Sequence, residues 1–356
     1  MAIRRTDLIP LGWNEWLEER ASCEPGDTLA RVAAVDRDRL LLMVPSGTFR
    51  AQLAGRFLYQ QAASRERPCV GDWVCAEKSP KDDVGLVRAL LERKTVLRRR
   101  AAGGSGEPQE IAANVDTVVI VQSCHYDFNL HRLERYLVMV REGGAEPWVL
   151  LTKTDLVKPE VLASQVDEIR SAGIAVPVRT LSHVTGEGVE ELKRALLPGR
   201  TYCFVGSSGV GKSTVLNALV GRERLPTAEV SATGEGRHTT VRRELVLLEG
   251  GALVIDNPGM REFGVVEAEG GIGDTFSGIT GLSSRCRFRD CRHENEPGCA
   301  VREAVQEGAL SPQEYGHFIQ LREESEFYAL SRAEKRQKDR DFGKFLKSAK
   351  KDLRRG

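Results

Sequence analysis

A glycine-rich loop followed by a lysine and a serine is the strongest chemical signal in this sequence. Residues 206–213, Gly-Ser-Ser-Gly-Val-Gly-Lys-Ser, match the pattern G-x-x-x-x-G-K-[ST] in full. In such a loop the backbone N–H groups surround a β-phosphate, the lysine reaches the β- and γ-phosphates and the serine binds Mg²⁺. We therefore predict a nucleoside triphosphate site, with a catalytic role for the lysine. Its phosphate-binding residues would be Gly206, Ser207, Ser208, Gly209, Val210, Gly211, Lys212, Ser213 and Thr214.

A second phosphate-linked motif, Asp-x-x-Gly, follows an apolar run at residues 253–255. In P-loop enzymes the aspartate of such a strand end helps to hold Mg²⁺. We expect Asp256 to do so through water and the Gly259 N–H to contact the γ-phosphate. The intervening segment Gly-Arg-His-Thr-Thr offers Thr240, which we prefer to Thr239 as a residue that closes over Mg²⁺. The alternative for Thr240 is an ordinary loop threonine. The predicted magnesium ligands are Ser213, Thr240 and Asp256.

The base of the nucleotide is predicted to be read upstream of the phosphate loop. The tetrapeptide Thr152-Lys153-Thr154-Asp155 directly follows the apolar run Pro-Trp-Val-Leu-Leu. An aspartate there accepts hydrogen bonds from guanine N1–H and N2–H₂, which adenine cannot supply, and the lysine stem stacks on the ring. The backbone of Ser182 and His183, after the next strand, would cover guanine O6. The base-reading half thus precedes the phosphate-binding half, and a sheet of βα units tolerates this order.

Three cysteines and a histidine form a compact cluster near the C-terminus. Cys286, Cys291, His293 and Cys299 follow the pattern C-x4-C-x-H-x5-C. Three thiolates and one imidazole make a closed tetrahedral set, which is typical of a structural zinc site. The alternative is free thiols beside an incidental histidine. The other five cysteines are scattered, and this distribution favours a metal site in a reducing compartment over a disulfide framework.

The elements that must position these residues follow from the hydrophobic pattern. From residue 111, apolar strands alternate with amphipathic helices, which predicts a mostly parallel sheet covered on both faces. Ligands of such sheets bind outside the carboxyl ends of the strands, where the nucleotide motifs above fall. Five short β runs between residues 28 and 100 predict an OB-type barrel, a fold that often binds nucleic acid.

The chain of 356 residues is too long for one ordinary core, and we predict a multi-domain protein. The fold prediction is an N-terminal OB-like β-barrel, a central α/β P-loop GTPase domain in circularly permuted order and a C-terminal zinc-binding α-helical domain. The predicted bounds are 1–27 for an N-terminal extension, 28–105 for the barrel, 106–275 for the GTPase domain and 276–356 for the C-terminal domain. No apolar run approaches the ~20 residues that span a bilayer, and no secretory signal is visible. We expect a cytoplasmic monomer.

Taken together, these motifs resemble the RsgA family (also YjeQ or EngC) of circularly permuted GTPases. The resemblance is carried by the segments IAANVDTVVIVQS, FNLHRLERYLV, TKTDL, GSSGVGKST, GRHTTVRREL and DNPGMREF, by the cysteine cluster and by Val-Gly-Asp at 70–72. It implies GTP hydrolysis stimulated by the small ribosomal subunit, a role in late maturation of that subunit, and a structural zinc. The family usually has asparagine at position 152, so the threonine implies a weaker bracing hydrogen bond. The extension at residues 11–17 has no counterpart that we can map.

Hydrolysis needs a group that positions water, and the usual glutamine is missing. The position beside Asp-x-x-Gly is Met260, whose thioether cannot orient water, and low intrinsic turnover is expected. The family pattern suggests His238 instead, since a histidine can donate to or accept from water near neutral pH. The alternatives for His238 are a solvated loop residue and an RNA contact.

Positive charge is concentrated in three places that suit a polyanion such as rRNA. These are the run at residues 98–100, the basic tail from residue 332, with eleven Lys/Arg against four Asp/Glu, and four arginines around the cysteine cluster: Arg285, Arg287, Arg289 and Arg292. The alternative is solvated charge. The sequence leaves two rival functions open, an ATP-using P-loop enzyme and a non-catalytic RNA-binding module with a vestigial nucleotide loop.

Overall fold

A computed structural model describes residues 4–36, 39–55, 67–78, 84–100, 108–221, 243–256 and 268–329. Several of the sequence predictions, among them the interpretation of Met260, concern residues outside these ranges. His238, Thr240 and Gly259 lie outside the described residues, as does the basic tail from residue 332.

The N-terminal part of the chain forms a closed five-stranded barrel. Its strands occur where the β runs predicted them and pair in the order β1-β2-β3-β5-β4, and β4 returns antiparallel to β1 to close the ring. Small and branched side chains, among them Ala30, Val32 and Val87, fill the interior. The strands are β1 Thr28–Asp36, β2 Arg39–Val44, β3 Gly47–Leu53, β4 Trp73–Glu77 and β5 Val84–Leu90.

The N-terminal extension packs against the outer face of this barrel. It consists of a 3-10 helix, Arg5–Leu11, and a short helix α1, Glu15–Arg20. Buried apolar side chains from the extension pack on the barrel, and the ring of Trp13 lies edge-on against Trp73 with centroids 4.9 Å apart. The tryptophans at 13 and 73 therefore act in packing.

Two of the scattered cysteines are paired in the structure. Cys23 and Cys75 form a disulfide between the extension and strand β4, across a sequence separation of 52 residues. Cys69, Cys124 and Cys203 are buried thiols outside this disulfide. Spacing alone could not reveal the pair, because the contact arises only when the extension folds back over the barrel.

The central domain is built on a six-stranded sheet in the order β10-β9-β8-β11-β13-β12. All neighbours pair in parallel except the edge strand β12, which runs antiparallel to β13. One bridge, Ala34 to Glu244, joins β12 to the barrel strand β1. The strands are β8 Thr117–Ser123, β9 Glu146–Thr152, β10 Val178–Leu181, β11 Thr201–Val205, β12 Glu244–Leu247 and β13 Leu253–Asp256, and a separate hairpin pairs β6 Val96–Arg100 with β7 Pro108–Ala113.

Helices cover both faces of this sheet, as the alternation of elements predicted. One face packs against the apolar side of the first helix of the domain, including Leu133 and Leu137, and the opposite face packs against Val215 and Leu216. The helices are α2 Leu130–Glu142, α3 Pro159–Ser171, α4 Val189–Ala195 and α5 Lys212–Val220.

The C-terminal helices pack onto helix α2 of the central domain. These helices are α6 Glu269–Thr275, α7 Ser277–Ser283, α8 Ala300–Gln306 and α9 Pro312–Ala329. Arg135 Nη1 of α2 lies 2.6 Å from both carboxylate oxygens of Glu324 in α9, and the Gly271 N–H of α6 donates to the Glu142 carboxylate over 2.8 Å. The predicted boundary at 275–276 falls between α6 and α7. Among the described residues, no helix is both long and apolar enough to cross a bilayer.

Candidate functional site

The predicted nucleotide motifs meet at one edge of the central sheet. Because β8, β9, β10, β11 and β13 run in parallel, their carboxyl ends lie side by side. Thr152 ends β9, Ser182 follows β10, Gly206 follows β11 and Asp256 ends β13. Residues that are more than 100 positions apart in the chain therefore line one cleft.

The phosphate loop has the backbone that its glycines predict. Gly206, Gly209 and Gly211 all have positive φ, at 145°, 79° and 95°. A Cβ at Gly206 would overlap the carbonyl oxygen of Val121 in strand β8, so only glycine fits there. Helix α5 begins at Lys212, and its N-terminal N–H groups face the loop. This arrangement forms a cradle for an anion.

The side chain of Lys212 is folded into the loop. Its ammonium donates to the carbonyl oxygens of Gly206 and Ser207 over 2.8 and 2.5 Å, and the residue is only 8% exposed. Burial lowers the pKa of Lys212 to about 8, although the carboxylates of Asp256 and Asp127 oppose this shift. Burial also raises the pKa of Asp256 to about 6, against the effect of Lys212. The lysine is thus positioned to exchange loop carbonyls for phosphate oxygens.

These values predict a pH dependence of nucleotide binding. Phosphate requires the charged ammonium, so affinity should fall as the pH rises through about 8, the pKa of Lys212 in the free protein. The loss should approach about tenfold per pH unit. In Lys212→Arg the guanidinium stays charged over this pH range. The affinity of this variant for the nucleotide should therefore not change with pH, whatever its absolute value. Titration of GDP binding by fluorescence between pH 7 and 9 checks this, and parallel declines in both proteins would contradict it.

Thr152 connects the base-reading tetrapeptide to the phosphate loop. Its Oγ1 donates to the Val210 carbonyl oxygen over 2.6 Å and lies 3.2 Å from the Gln122 carbonyl oxygen. The threonine hydroxyl therefore makes a bracing contact in this chain, where we expected threonine to weaken it.

Lys153 makes a second connection through an aromatic residue. Lys153 has positive φ, 60°, and its ammonium lies 4.8 Å from the centroid of the Tyr126 ring and donates to the Tyr126 hydroxyl over 3.1 Å. That hydroxyl donates in turn to the Gly209 carbonyl over 2.8 Å. The lysine that would stack on a base and the loop that would hold the phosphates thus share one neighbour.

Asp155 is oriented by the strand next to its own. The Ser182 hydroxyl donates to Asp155 Oδ1 over 2.5 Å, while the Thr185 N–H donates to Ser182 Oγ over 3.1 Å. Ser182 is fully buried, whereas Asp155 and His183 are exposed at the cleft. The buried hydroxyl fixes the direction of a carboxylate that is itself accessible to a ligand.

The sequence interpretation missed two residues of this site, Tyr126 and Asp127. Both follow the end of β8, so the strand-end rule applied to this strand would have found them. Asp127 Oδ1 lies 2.8 Å from Arg132 Nη2, and its buried Oδ2 has no hydrogen-bond partner among the described residues. Burial raises the pKa of Asp127, with Arg132 and Lys212 acting in the opposite direction. The buried carboxylate of Asp127 therefore lies next to the phosphate loop.

The four predicted metal ligands converge at the C-terminal end of α7. The sulfurs of Cys286 and Cys299 are 3.9 Å apart, and His293 Nδ1 lies 3.6 and 3.4 Å from them. Tetrahedral zinc with ordinary bond lengths sets these separations at about 3.8 Å for sulfur pairs and about 3.6 Å for sulfur and nitrogen. The Cys291 sulfur belongs to the same group, in which all donor atoms lie within 4.8 Å.

The second ring nitrogen of His293, Nε2, has its own hydrogen-bond partner, as is usual for a histidine that binds a metal. His293 Nε2 lies 3.0 Å from Ser283 Oγ, and this hydroxyl donates to the Ile279 carbonyl over 2.8 Å. The serine oxygen therefore accepts from Nε2–H, which leaves the lone pair of Nδ1 directed at the thiolates. The residues fit a Cys₃His zinc site.

The fold and the site together define a circularly permuted P-loop GTPase. The base-reading strand end comes before the phosphate loop in sequence and beside it in space, and a barrel and a cysteine–histidine cluster flank the domain. The model of the RsgA GTPase family matches residues 90–266.

Whole-chain comparisons agree with this class. The small ribosomal subunit biogenesis GTPase RsgA of Opitutus terrae is 39% identical over 348 residues, covering 92% of this chain and 94% of the relative. RsgA 2 of Vibrio parahaemolyticus is 38% identical and covers 98% of this chain and 94% of its own. A crystal structure of YjeQ from Thermotoga maritima superposes with a TM-score of 0.62 at 25% identity, over 83% of this chain and 97% of that one. The chain belongs to the RsgA family.

Proposed function

We propose that this protein binds GTP·Mg²⁺, docks on the small ribosomal subunit and hydrolyses GTP to GDP and phosphate as it assists late maturation of that subunit. The observation that carries the proposal is the contact between the two halves of the nucleotide site. Thr152 bonds to Val210, and Tyr126 bridges Lys153 and Gly209, so one nucleotide can span the base reader and the phosphate loop. The names of the relatives add the ribosomal context.

The chain's residues have distinct tasks in this reaction. Asp155, held by Ser182, selects guanine, and the loop N–H groups with the Lys212 ammonium hold the phosphates. Mg²⁺, when bound, neutralises charge on the β- and γ-phosphates, and Ser213, Thr240 and Asp256 are its proposed ligands. These groups bind and orient the nucleotide but supply no residue that positions water.

Positioning of the attacking water is assigned to His238. The thioether of Met260 cannot take this role, so turnover by the protein alone should be slow. Docking on the subunit would bring the His238 imidazole to the γ-phosphate. Hydrolysis would then release the protein from the subunit.

The proposed contact with rRNA uses the arginines near the zinc cluster. Arg285, Arg287 and Arg289 are exposed, and the Arg287 guanidinium lies over the half-exposed ring of Phe288. Exposed guanidinium groups beside an aromatic ring suit phosphates and unstacked bases. Arg292 is instead engaged with Glu294 and Glu326. We place the protein in the cytoplasm as a monomer, with one structural zinc in the cysteine cluster.

Turnover with and without small ribosomal subunits tests the proposal. We expect low GTP turnover by the protein alone and at least about tenfold stimulation by subunits, since groups that complete a phosphoryl-transfer site contribute more than this. Ser213→Ala should abolish both rates, because its Mg²⁺ ligand is lost. Ser171→Ala, at the exposed end of α3, is the matched control and should behave as the wild type.

The outcomes separate the rival functions. Equal use of ATP would indicate a general P-loop enzyme. Subunit binding without any GTP turnover would indicate an RNA-binding module. Stimulation that survives in Ser213→Ala would contradict the assigned magnesium site.

A further inference from the structure

A second group of metal-ligating side chains lies between the central domain and the C-terminal helices. His131 and Glu134 are three residues apart on α2 and so share one helix face. His317 of α9 meets them across the interface. One donor atom from each residue lies within 4.8 Å of the others, and His317 Nδ1 is 2.5 Å from Glu134 Oε2. No sequence motif indicates this group, because Glu134 and His317, which are hydrogen-bonded, are 183 positions apart in the chain.

A simple hydrogen bond accounts for only two of the three residues. Glu134 and His317 are 2% and 8% exposed, and burial raises the pKa of the former to about 8 and lowers that of the latter to about 4. A hydrogen bond between a protonated Glu134 and a neutral His317 would satisfy both side chains. It leaves unexplained why the exposed His131 lies against the same pair.

The three side chains bring different donor atoms to one place. Two imidazoles and one carboxylate each have a ligand atom within 4.8 Å of the others. Because His131 is exposed, its ring can rotate to admit an ion, which would replace the hydrogen bond between Glu134 and His317.

We propose that His131, Glu134 and His317 form a second metal site, for a divalent first-row transition metal such as Zn²⁺, that clamps the C-terminal helices to α2. Two imidazoles and one carboxylate suit zinc and its neighbours, whereas Mg²⁺ and Ca²⁺ prefer oxygen ligands alone. Three protein ligands leave a fourth position for water on the exposed side of His131. The site is distinct from the cysteine cluster, with which it shares no ligand.

The proposed metal would connect the C-terminal helices to a helix that lies next to the nucleotide site. Farther along the same interface, Arg135 pairs with Glu324 and Glu142 accepts from the Gly271 N–H. At the same end of α2 as the proposed site, Arg132 pairs with Asp127, which faces the phosphate loop. A metal at the first turns of α2 thus fixes the C-terminal helices to the helix that borders the nucleotide site.

Metal stoichiometry of the full-length protein tests the proposal. After equilibration with free zinc above the concentration that fills the cysteine site, and removal of unbound metal, elemental analysis should give two zinc ions per wild-type chain. His131→Ala, an exposed position, should give one, and so should the nearly isosteric Glu134→Gln. His125→Ala, another exposed histidine that lies outside the group, is the matched control and should give two.

Substitution with cobalt shows which of the two sites loses its metal ion in His131→Ala. Co²⁺ in the cysteine cluster gives intense thiolate-to-metal charge-transfer absorption, whereas a site of nitrogen and oxygen ligands gives none. His131→Ala should keep the full charge-transfer band while losing one cobalt equivalent. One metal per wild-type chain, or two in His131→Ala, would overturn the proposal and leave the group as a hydrogen-bonded interface.

Discussion

Replacing Asp155 with asparagine should lower the affinity for GTP by about 10²-fold and shift the preference of the site toward XTP. The carboxylate accepts from guanine N1–H and N2–H₂, and two charge-assisted hydrogen bonds contribute about 3 kcal/mol or more. Xanthine carries a carbonyl at C2 where guanine carries an amino group, so an asparagine amide can donate to it. Competition by GTP, ATP and XTP against a fluorescent nucleotide measures the change.

The control for this experiment is Asp167→Asn on helix α3, an exposed carboxylate that forms an ion pair with Arg170 on the same helix turn. It should leave all three affinities as in the wild type. Equal loss of GTP and XTP binding in Asp155→Asn would mean that the mutation disturbs the loop and not the recognition of the base. Unchanged GTP binding would remove Asp155 from the site.

Replacing Gly206 with alanine should abolish measurable GTP binding and lower the free energy of unfolding by about 2–4 kcal/mol. The residue has φ 145°, which an L side chain rarely adopts, and its Cβ would overlap the Val121 carbonyl oxygen. Relief of that overlap requires the loop to move away from strand β8, and the N–H groups then leave the positions that surround a phosphate. Calorimetry and urea unfolding measure the two effects separately.

Gly173→Ala isolates the contribution of backbone strain in the comparison. Gly173 also has positive φ, 73°, but an added Cβ would meet no atom within 4 Å, and the residue follows helix α3 away from the cleft. Its cost should be about 1 kcal/mol with GTP binding retained. Comparable GTP binding by the two variants would show that the backbone at Gly206 does not shape the phosphate site.

Much of the fold could be predicted from the sequence because its signals are local. The β runs of the barrel and the alternation of strands and helices depend on periodicity, and Gly206 to Thr214 is a contiguous motif. The parallel sheet then required that Thr152 and Gly206 meet, since both lie at carboxyl ends of parallel strands on the same edge of the sheet. The cysteine cluster was equally readable, because its ligands lie within fourteen consecutive residues.

The parts that could not be predicted depend on contacts between distant segments. The Cys23–Cys75 disulfide, the approach of Tyr126 to Gly209 and the meeting of His131 with His317 all join elements that only the tertiary fold brings together. Thr152 shows a further limit. Its hydroxyl reaches Val210 because of how the strand end sits against the loop, and comparison of residue types alone suggested a weaker contact.

The central claim is that Asp155 and Lys212 bind opposite ends of one guanine nucleotide. A crystal structure of the protein with Mg²⁺ and a non-hydrolysable GTP analogue tests it most directly. The account predicts the Asp155 carboxylate within hydrogen-bond distance of guanine N1 and N2, with the Lys212 ammonium on the β- and γ-phosphates of the same molecule. A bound analogue whose phosphates occupy the loop while its base lies away from Asp155 would contradict the account.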